Sequence, residues 1–488
     1  MEKIETIITS LKKDTNNTSD ITYRKKKVCN KEIYIIYNEP LTSSDKISDF
    51  IIRSLDKINK QYPKLKNLEN IIFNEIENFK ITKITNYEDI CYYLHYGFTI
   101  ILIEDSPTYF ALETKSKLSR SISTPQTESA LRGSMDSFVE DMQTNMGLIR
   151  RRIKDNNLWI ESLEIGKYTK TKVNLIYLNG VCKKELVNNV SKLIESINID
   201  GIINCGTIKN LIEKENKSTL PTIISTERPD RVCQAILGGR IVIMIDCCQF
   251  ALILPIVLND LLISTEDSYG KSINITLTRM IRYLALFITL FTPGVYIAVT
   301  TFNQEMLPTQ LLVSFASQRA SVPFPAFFEA IIMMIAFEIL REGDLRGPTF
   351  TTSALSTVGA LILGDAAVNA GIVSPIMIIV LAITSLSSLL FTEPEVINGI
   401  RWWRILFMIG GMSFGIIGVL FAFIFFIIKL SSLHSFGICY LTPYSPISKT
   451  GLKNSIIKFP TKYLNKREIE LSNNIIKYKR VNKWKKYS

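Results

Sequence analysis

Between Met280 and Ile428 the chain carries four long apolar stretches, and they limit what it can fold into more than any other feature. The first, Ile281 to Phe302, reads IRYLALFITLFTPGVYIAVTTF and has no charged residue after Arg282. Crossing the hydrocarbon core of a bilayer takes about 20 predominantly apolar residues. Ser353 to Ala370, Val373 to Phe391 and Ile405 to Ile428 follow. A soluble core has no use for four such segments in succession, so residues 280–428 are expected to form an α-helical polytopic membrane domain.

The rest of the chain has another character. The mean hydropathy of +0.18 averages a Lys-, Glu- and Asn-rich stretch, residues 1–279, with an Ile-, Leu-, Phe- and Gly-rich centre. Of the net charge of +12, residues 430–488 hold twelve Lys or Arg against two Glu, a local balance of +10. Residues 429–488 are therefore expected as a basic, partly disordered cytoplasmic tail beside the membrane. Anionic lipid attracts such a run without a specific partner, so no nucleic acid is expected. The eight Cys show no CxxC and no zinc spacing, and there are two His. No metal site and no cofactor is expected, and free thiols place residues 1–279 in a reducing compartment, the cytoplasm. The polar start, MEKIETIITSLKKDTNN, has no apolar signal-peptide core.

Read in order, residues 1–29 are expected as a flexible N-terminus. A first α/β subdomain, 30–115, opens on Ile33 to Tyr37, continues through helical spacing at Ser48 to Ile58 and Leu68 to Phe79, and closes on Phe98 to Glu104 paired with Tyr109 to Thr114. A helical connector, 116–165, ends its apolar face at Arg150, Arg151 and Arg152, cations suited to a helix C-terminus. These three are either a solvated or salt-bridged cluster or a coupling surface. A second α/β subdomain, 166–270, has a strand at Lys172 to Leu178 and a helix at Glu185 to Ile197. Ile241 to Pro255 holds Asp246 and Gln249 at its centre and fits a hairpin better than a membrane span.

Polar residues inside an apolar block face protein or water. Glu305, Arg319, Glu329 and Glu338 are a candidate intramembrane polar network. Its alternatives are an internal salt bridge fixing a broken helix and a direct part in ion passage. Pro323 and Pro325 break any helix there. The nine-residue spacing of Glu329 and Glu338 sets them on opposed faces. Gly359, Ala360, Gly364, Ala366, Ala367, Ala370 and Gly371 crowd one stretch around Asp365. Small residues let helices approach closely in lipid. The stretch is either a tightly packed helix or a pore-lining one, with Gly359, Leu361, Gly364 and Asp365 as candidate pore or gating residues. Gly410, Gly411, Gly415 and Gly418 read as packing positions. With N-terminal region and tail both inside, the spans must be even in number, so Val322 to Leu340 is expected to be re-entrant or interfacial rather than a fifth crossing.

Three long motifs carry a family resemblance. The first includes Arg120-Ser121-Ile122, Pro125-Gln126-Thr127-Glu128, Arg132-Gly133, Phe138-Val139-Glu140, Asn145 and Leu148 to Arg152. The second is Glu227-Arg228-Pro229-Asp230-Arg231 followed by Gly239-Arg240. The third is Tyr296 to Glu342, followed by Val358 to Leu361, Gly364 to Ala367, Ala370-Gly371 and Val373-Ser374-Pro375. Together they resemble the A subunits of GerA-family spore germination receptors, over about Ser106 to Pro446. Gly343-Asp344-Leu345-Arg346-Gly347 departs from the family's turn. The resemblance implies a multi-pass protein of the spore inner membrane that assembles with a transporter-like B subunit, a lipoprotein C subunit and copies of itself. It further implies a gated ion channel that releases ions when a nutrient is sensed. A secondary transporter or carrier is the competing class, but the spans show no internal repeat. An enzyme is not expected, because no nucleophile elbow, P-loop or glycine fingerprint is present.

Overall fold

The computed structural model describes residues 4–61, 68–76, 80–104, 106–116, 125, 128, 133–213, 218–346, 364–391, 393–474 and 476. Strands β1 (Ile21–Val28), β2 (Lys31–Asn38), β3 (Ile81–Ile84), β4 (Phe98–Ile103) and β5 (Tyr109–Glu113) form one sheet in the order β1-β2-β4-β5-β3. Every neighbouring pair is antiparallel. All of β4 is buried, as its unbroken FTIILI run requires of a central strand covered on both faces. The period of two sorts its side chains. Ile101 and Ile103 join Ile33 and Ile35 under helices α2 (Arg53–Gln61) and α3 (Leu68–Glu75). Ile100 and Leu102 join Ile36 under α1 (Ile4–Asp14) and α4 (Tyr87–His95).

Residues 1–29 thus differ from the flexible lead expected of them, since α1 and β1 lie there. The lysines disguised β1. It is an edge strand whose ends, Ile21 and Val28, are buried while Lys25 and Lys26 form ion pairs at its surface. Charged residues on an edge strand discourage pairing with another chain.

The second unit repeats the plan. After α5 (Met142–Arg152) come β6 (Leu158–Ile165), β7 (Thr171–Leu178), α6 (Lys184–Glu195), α7 (Cys205–Glu213), β8 (Ile224–Thr226), α8 (Pro229–Leu237), β9 (Ile241–Ile245) and β10 (Ala251–Leu254). The sheet order is β6-β7-β9-β10-β8, the first order with each strand replaced by its counterpart. Strands β9 and β10 are the hairpin expected of Ile241 to Pro255, with Leu252 opposite Ile243. The two units meet at an edge, where the backbone N–H of Ser19 donates to Ile160 O in β6. At that seam Arg150 points inward. Its Nε and Nη2 donate to Asp20 Oδ2 and Oδ1 at 2.7 and 3.0 Å, and Nη2 also donates to Leu158 O at 2.8 Å. Thr18 and Asn38 complete the Asp20 carboxylate.

The helical region begins with α9 (Ser272–Thr301), then α10 (Thr309–Arg319), α11 (Ala326–Arg346), α12 (Pro375–Ser388) and α13 (Pro394–Ser432). Among the described residues, α9 and α13 are long and apolar enough to cross a membrane, and α12 is a shorter apolar helix. One expectation changes here. Val322 to Leu340, expected to be re-entrant or interfacial, holds most of α11, which runs 21 residues once Pro323 and Pro325 have preceded it. The last apolar stretch, in contrast, folds back on itself. Gly415 has φ 62° and ψ −142° inside α13, a backbone state open to glycine and strained for other residues. Trp403 and Phe426 would lie about 34 Å apart on a straight helix at 1.5 Å per residue. Their ring centroids are 4.8 Å apart. So α13 is a hairpin of two antiparallel arms, 394–414 and 416–432. Gly410 and Gly418 face each other, and a Cβ on Gly410 would meet Gly418 O at 2.6 Å. Asn303, just past the end of α9, caps the second arm by accepting from the Ile416 N–H at 3.1 Å.

The tail, expected to be partly disordered, is folded over its described residues. From Leu433 it returns to the second sheet unit. Tyr440 is fully buried and its hydroxyl donates to Pro221 O at 2.8 Å. Ser435 donates to Thr222 O and accepts from the Ile256 N–H. The lysines sit around a backbone-led fit that charge counting does not reveal.

Burial opposes ionisation of Asp20. The charge of Arg150 and hydrogen bonds from Arg150, Thr18 and Asn38 outweigh it and hold the carboxyl below its usual value. A carboxylate depressed on folding contributes stability above its unfolded pKa and loses it as pH falls through the folded one. Stability is therefore expected to drop as pH falls below about 4. Arg150→Ala, which strands Asp20 in the seam, is expected to cost about 3–5 kcal/mol. Urea unfolding of the variant across pH checks both statements.

Candidate functional site

Where the sheets meet the helices, charges from four segments converge. Strand β8 ends at Thr226, and Pro229 starts α8 at a position that needs no N–H. Between them Arg228 turns inward. Its Nε and Nη2 donate to Asp230 Oδ1 and Oδ2 at 3.1 and 2.8 Å, and Nη1 donates to Glu128 O at 3.0 Å. Arg231, one turn on, reaches Glu128 Oε2 at 3.2 Å on the connector and Glu393 Oε1 at 2.5 Å just before α13. Lys209 of α7 pairs with Glu395 in the first turn of α13. Burial raises the Glu128 pKa, the Glu393 charge adds to that and Arg231 opposes it. Asp230 is held below its usual value, since Arg228 and Tyr269 outweigh its burial.

A second knot fixes α9. Asp267 accepts from Arg279 Nε at 2.8 Å and from Arg282 Nη1 at 3.0 Å. Arg279, 2% exposed, also donates to Ser455 O in the tail at 2.7 Å. Thus α9, α13 and the tail are all tied to one face of the second sheet unit.

The residues singled out from sequence divide among several places. Arg150 belongs to the seam with Asp20. Arg152 donates to Asp136 Oδ1 at 2.7 Å, and Arg151 is exposed, so the three do not act as one cluster. Glu329 is wholly buried, accepts from Ser374 Oγ at 2.9 Å and lies 4.0 Å from Arg319 Nε. Glu338 belongs to a separate group with Arg401 at 2.7 Å and Arg404 at 3.7 Å. The opposed faces expected of the two Glu thus have different partners. Glu305 is exposed on a short turn after α9 and joins neither group. Gly359 and Leu361 lie outside the described residues. Gly364 is buried and Asp365 exposed on a short helix, 364–369, and Asp365 forms no ion pair with a described residue. Among the described residues no group of acidic, His and Cys side chains is arranged to hold a metal.

Sequence reasoning missed Glu393, Asp267 and Asp20. Glu393 carried a faint signal, an acid directly before a Pro that opens a helix. Asp20 carried none, because its partner Arg150 lies 130 residues on, and Asp267 pairs with Arg279 and Arg282 of the following helix, beyond the reach of a helical-spacing pattern.

Arg231→Ala leaves Glu128 and Glu393 buried without their shared cation. It is expected to destabilise the full chain by about 3–5 kcal/mol and to loosen the start of α13. Thermal unfolding in detergent, with protease accessibility near Glu393, measures both.

A family profile described as "Bacillus/Clostridium GerA spore germination protein" matches residues 9–469. "Spore germination protein KA" of Bacillus subtilis (strain 168) is 37% identical over 458 residues, 93% of this chain and 84% of that protein. "Spore germination protein B1" of the same organism is 35% identical, covering 89% of each chain. "Spore germination protein GerLA" of Bacillus cereus is 30% identical, covering 94% of each. A crystal structure of the N-terminal domain of the A subunit of the Bacillus megaterium spore germinant receptor GerK3 matches 52% of this chain and 94% of that one, at 30% identity and a TM-score of 0.42. The chain belongs to the GerA family of spore germination proteins.

Proposed function

We propose that this chain is the A subunit of a nutrient-sensing germination receptor in the spore inner membrane, with B and C subunits as partners, and that copies of it assemble into a gated ion channel. The observation that carries the reading is the junction. Arg231 joins the connector and the second sheet unit to the first residue before α13, so a change of state in the sheets has a charged path to the helices.

The directions of the helices support one membrane topology. Both ends of the α13 hairpin face the sheets, through Glu393 at one end and Ser435 at the other. It therefore adds no net crossing. Helix α11 runs against α9, since Ala326 and Ala330 share a core with Tyr296 and Ile297, whereas Arg341 lines a cavity with Thr289. Helix α12 runs the same way as α11, from Ser374 beside Glu329 to Leu389 at that cavity. In the sequence between them lies the apolar stretch Ser353 to Ala370. An even number of crossings, with α13 as a re-entrant hairpin, keeps the tail on the sheet side, which we read as the cytoplasm. Arg401 and Arg404 then lie on the basic side, as the charge rule for cytoplasmic loops favours.

Asp365 is an exposed carboxylate in an otherwise apolar region. A charge there has to face water or a second copy. In a ring of subunits it forms a circle of carboxylates that favours cations, while Gly359, Leu361 and Gly364 set the width of the path. A carrier is the second reading, because a hairpin broken at a glycine is a feature of transporters as well. Reconstitution of the assembled receptor separates the two. Unitary current steps support the channel, and saturable flux without steps supports the carrier. Asp365→Asn is expected to lower cation current several-fold with assembly intact, and an unchanged current would move the path elsewhere.

A further inference from the structure

A cavity of about 230 Å³ lies between α11, α12 and the first arm of α13, on the side toward the sheets. A cavity needs only about 10–15 Å³ to hold one water, so this one has room for a polyatomic guest. Three guanidinium groups, Arg341, Arg401 and Arg404, and one carboxylate, Glu338, face it. Glu338 pairs closely with Arg401 alone, at 2.7 Å. Arg404 stands at 3.7 Å and Arg341 at 3.9 Å. Three positive charges against one negative leave +2. Glu342 lines an adjoining cavity with Arg401, and counting it still leaves +1. The Nε–H groups of both Arg401 and Arg404 are buried and donate to nothing among the described residues. An unpaired buried donor on a charged group is costly, so two of them beside an empty volume point to a missing acceptor.

The remaining wall gives the guest a second property. Leu386, Leu389, Ile397 and Ile400 line it. A free inorganic anion gains nothing from such a wall, whereas a phosphate attached to an acyl-bearing glycerol does. Arginine presents a planar fork of donors that matches the oxygens of a phosphate.

We propose that this cavity is a binding site for a phosphate group, and that an anionic phospholipid headgroup supplies it. The phosphate oxygens accept from Arg401 and Arg404, and the chains lie along the Leu and Ile wall. Bound there, the lipid bridges α11, α12 and the α13 hairpin, and the stability of that contact depends on membrane composition. The site goes beyond the channel reading and depends only on these helices lying in lipid.

The test uses the full chain in nanodiscs of phosphatidylcholine alone or with phosphatidylglycerol, and in detergent with inorganic phosphate. Bound lipid is counted by native mass spectrometry, and thermal unfolding is followed in parallel. Phosphatidylglycerol is expected to be retained and to raise the unfolding temperature, and Arg404→Gln to weaken retention about tenfold, the loss of one charge-assisted hydrogen-bonding group. Glu338→Gln removes the competing acid and is expected to strengthen retention, an outcome that misfolding cannot imitate. If inorganic phosphate alone reproduces the shift and Arg404→Gln abolishes it, the phosphate site stands and its source is the free ion. Equal behaviour in all lipids without a phosphate effect, or retention unchanged in both Arg401→Gln and Arg404→Gln, overturns the site. A Glu338→Gln chain that only loses stability, with retention unchanged, assigns the cluster to structure and overturns it as well.

Discussion

Arg231 is one guanidinium shared between carboxylates that arrive from opposite sides of the molecule, Glu128 from the connector and Glu393 from the threshold of α13. Neither acid is comfortable without it, because both are largely withdrawn from water. Two of the long motifs noted in the sequence, around Glu128 and around Arg231, are therefore parts of one contact. Lys209 with Glu395 and Asp267 with Arg279 and Arg282 repeat the arrangement around it. Apolar packing holds each sheet unit together and continues from the second unit into α9 and α13, where paired charges pin the junction. Breaking a buried pair by removing one partner costs far more than the pair contributes as a whole, which makes such a junction sharply defined in geometry.

The apolar strands were legible because their chemistry is local. Phe98 to Ile103 and Thr171 to Leu178 announce themselves by composition, and Ile241 to Pro255 by the polar turn in its middle. Strand β1 was not legible, since the run Arg24 to Lys27 reads as a linker and only its pairing with β2 makes it a strand. Arg150 was read as a helix-end cation, yet it turns toward Asp20, 130 residues earlier, and no local pattern encodes that distance. The same holds for the tail, whose fit rests on Tyr440, Ser435 and backbone groups among exposed lysines. The α13 hairpin was hidden for another reason. Apolar periodicity is the same for a straight helix and for two packed arms, and the glycines were understood as contact positions without showing that the contact is between the arms themselves.

The repeated strand order has a physical reading as well. Each of the two sheets has two outer strands, β1 and β3 in the first and β6 and β8 in the second, and outer strands need cover. Strand β1 carries surface lysines, and β6 is met by the segment around Thr18 and Ser19 of the neighbouring unit. The seam is thus where one unit protects the other, and the Arg150–Asp20 pair lies directly behind it.

The way the tail closes on the second sheet unit sets an order of events during synthesis. Tyr440 seals the region beside Pro221 and Thr222, residues made more than 200 positions earlier. That part of the second sheet unit stays incomplete on the ribosome until every helix from α9 to α13 has been made. A chain that stalls within the helical region never receives its own closing segment, and the edge beside Pro221 and Thr222 stays unsealed. The tail then reports that the helices before it have been made.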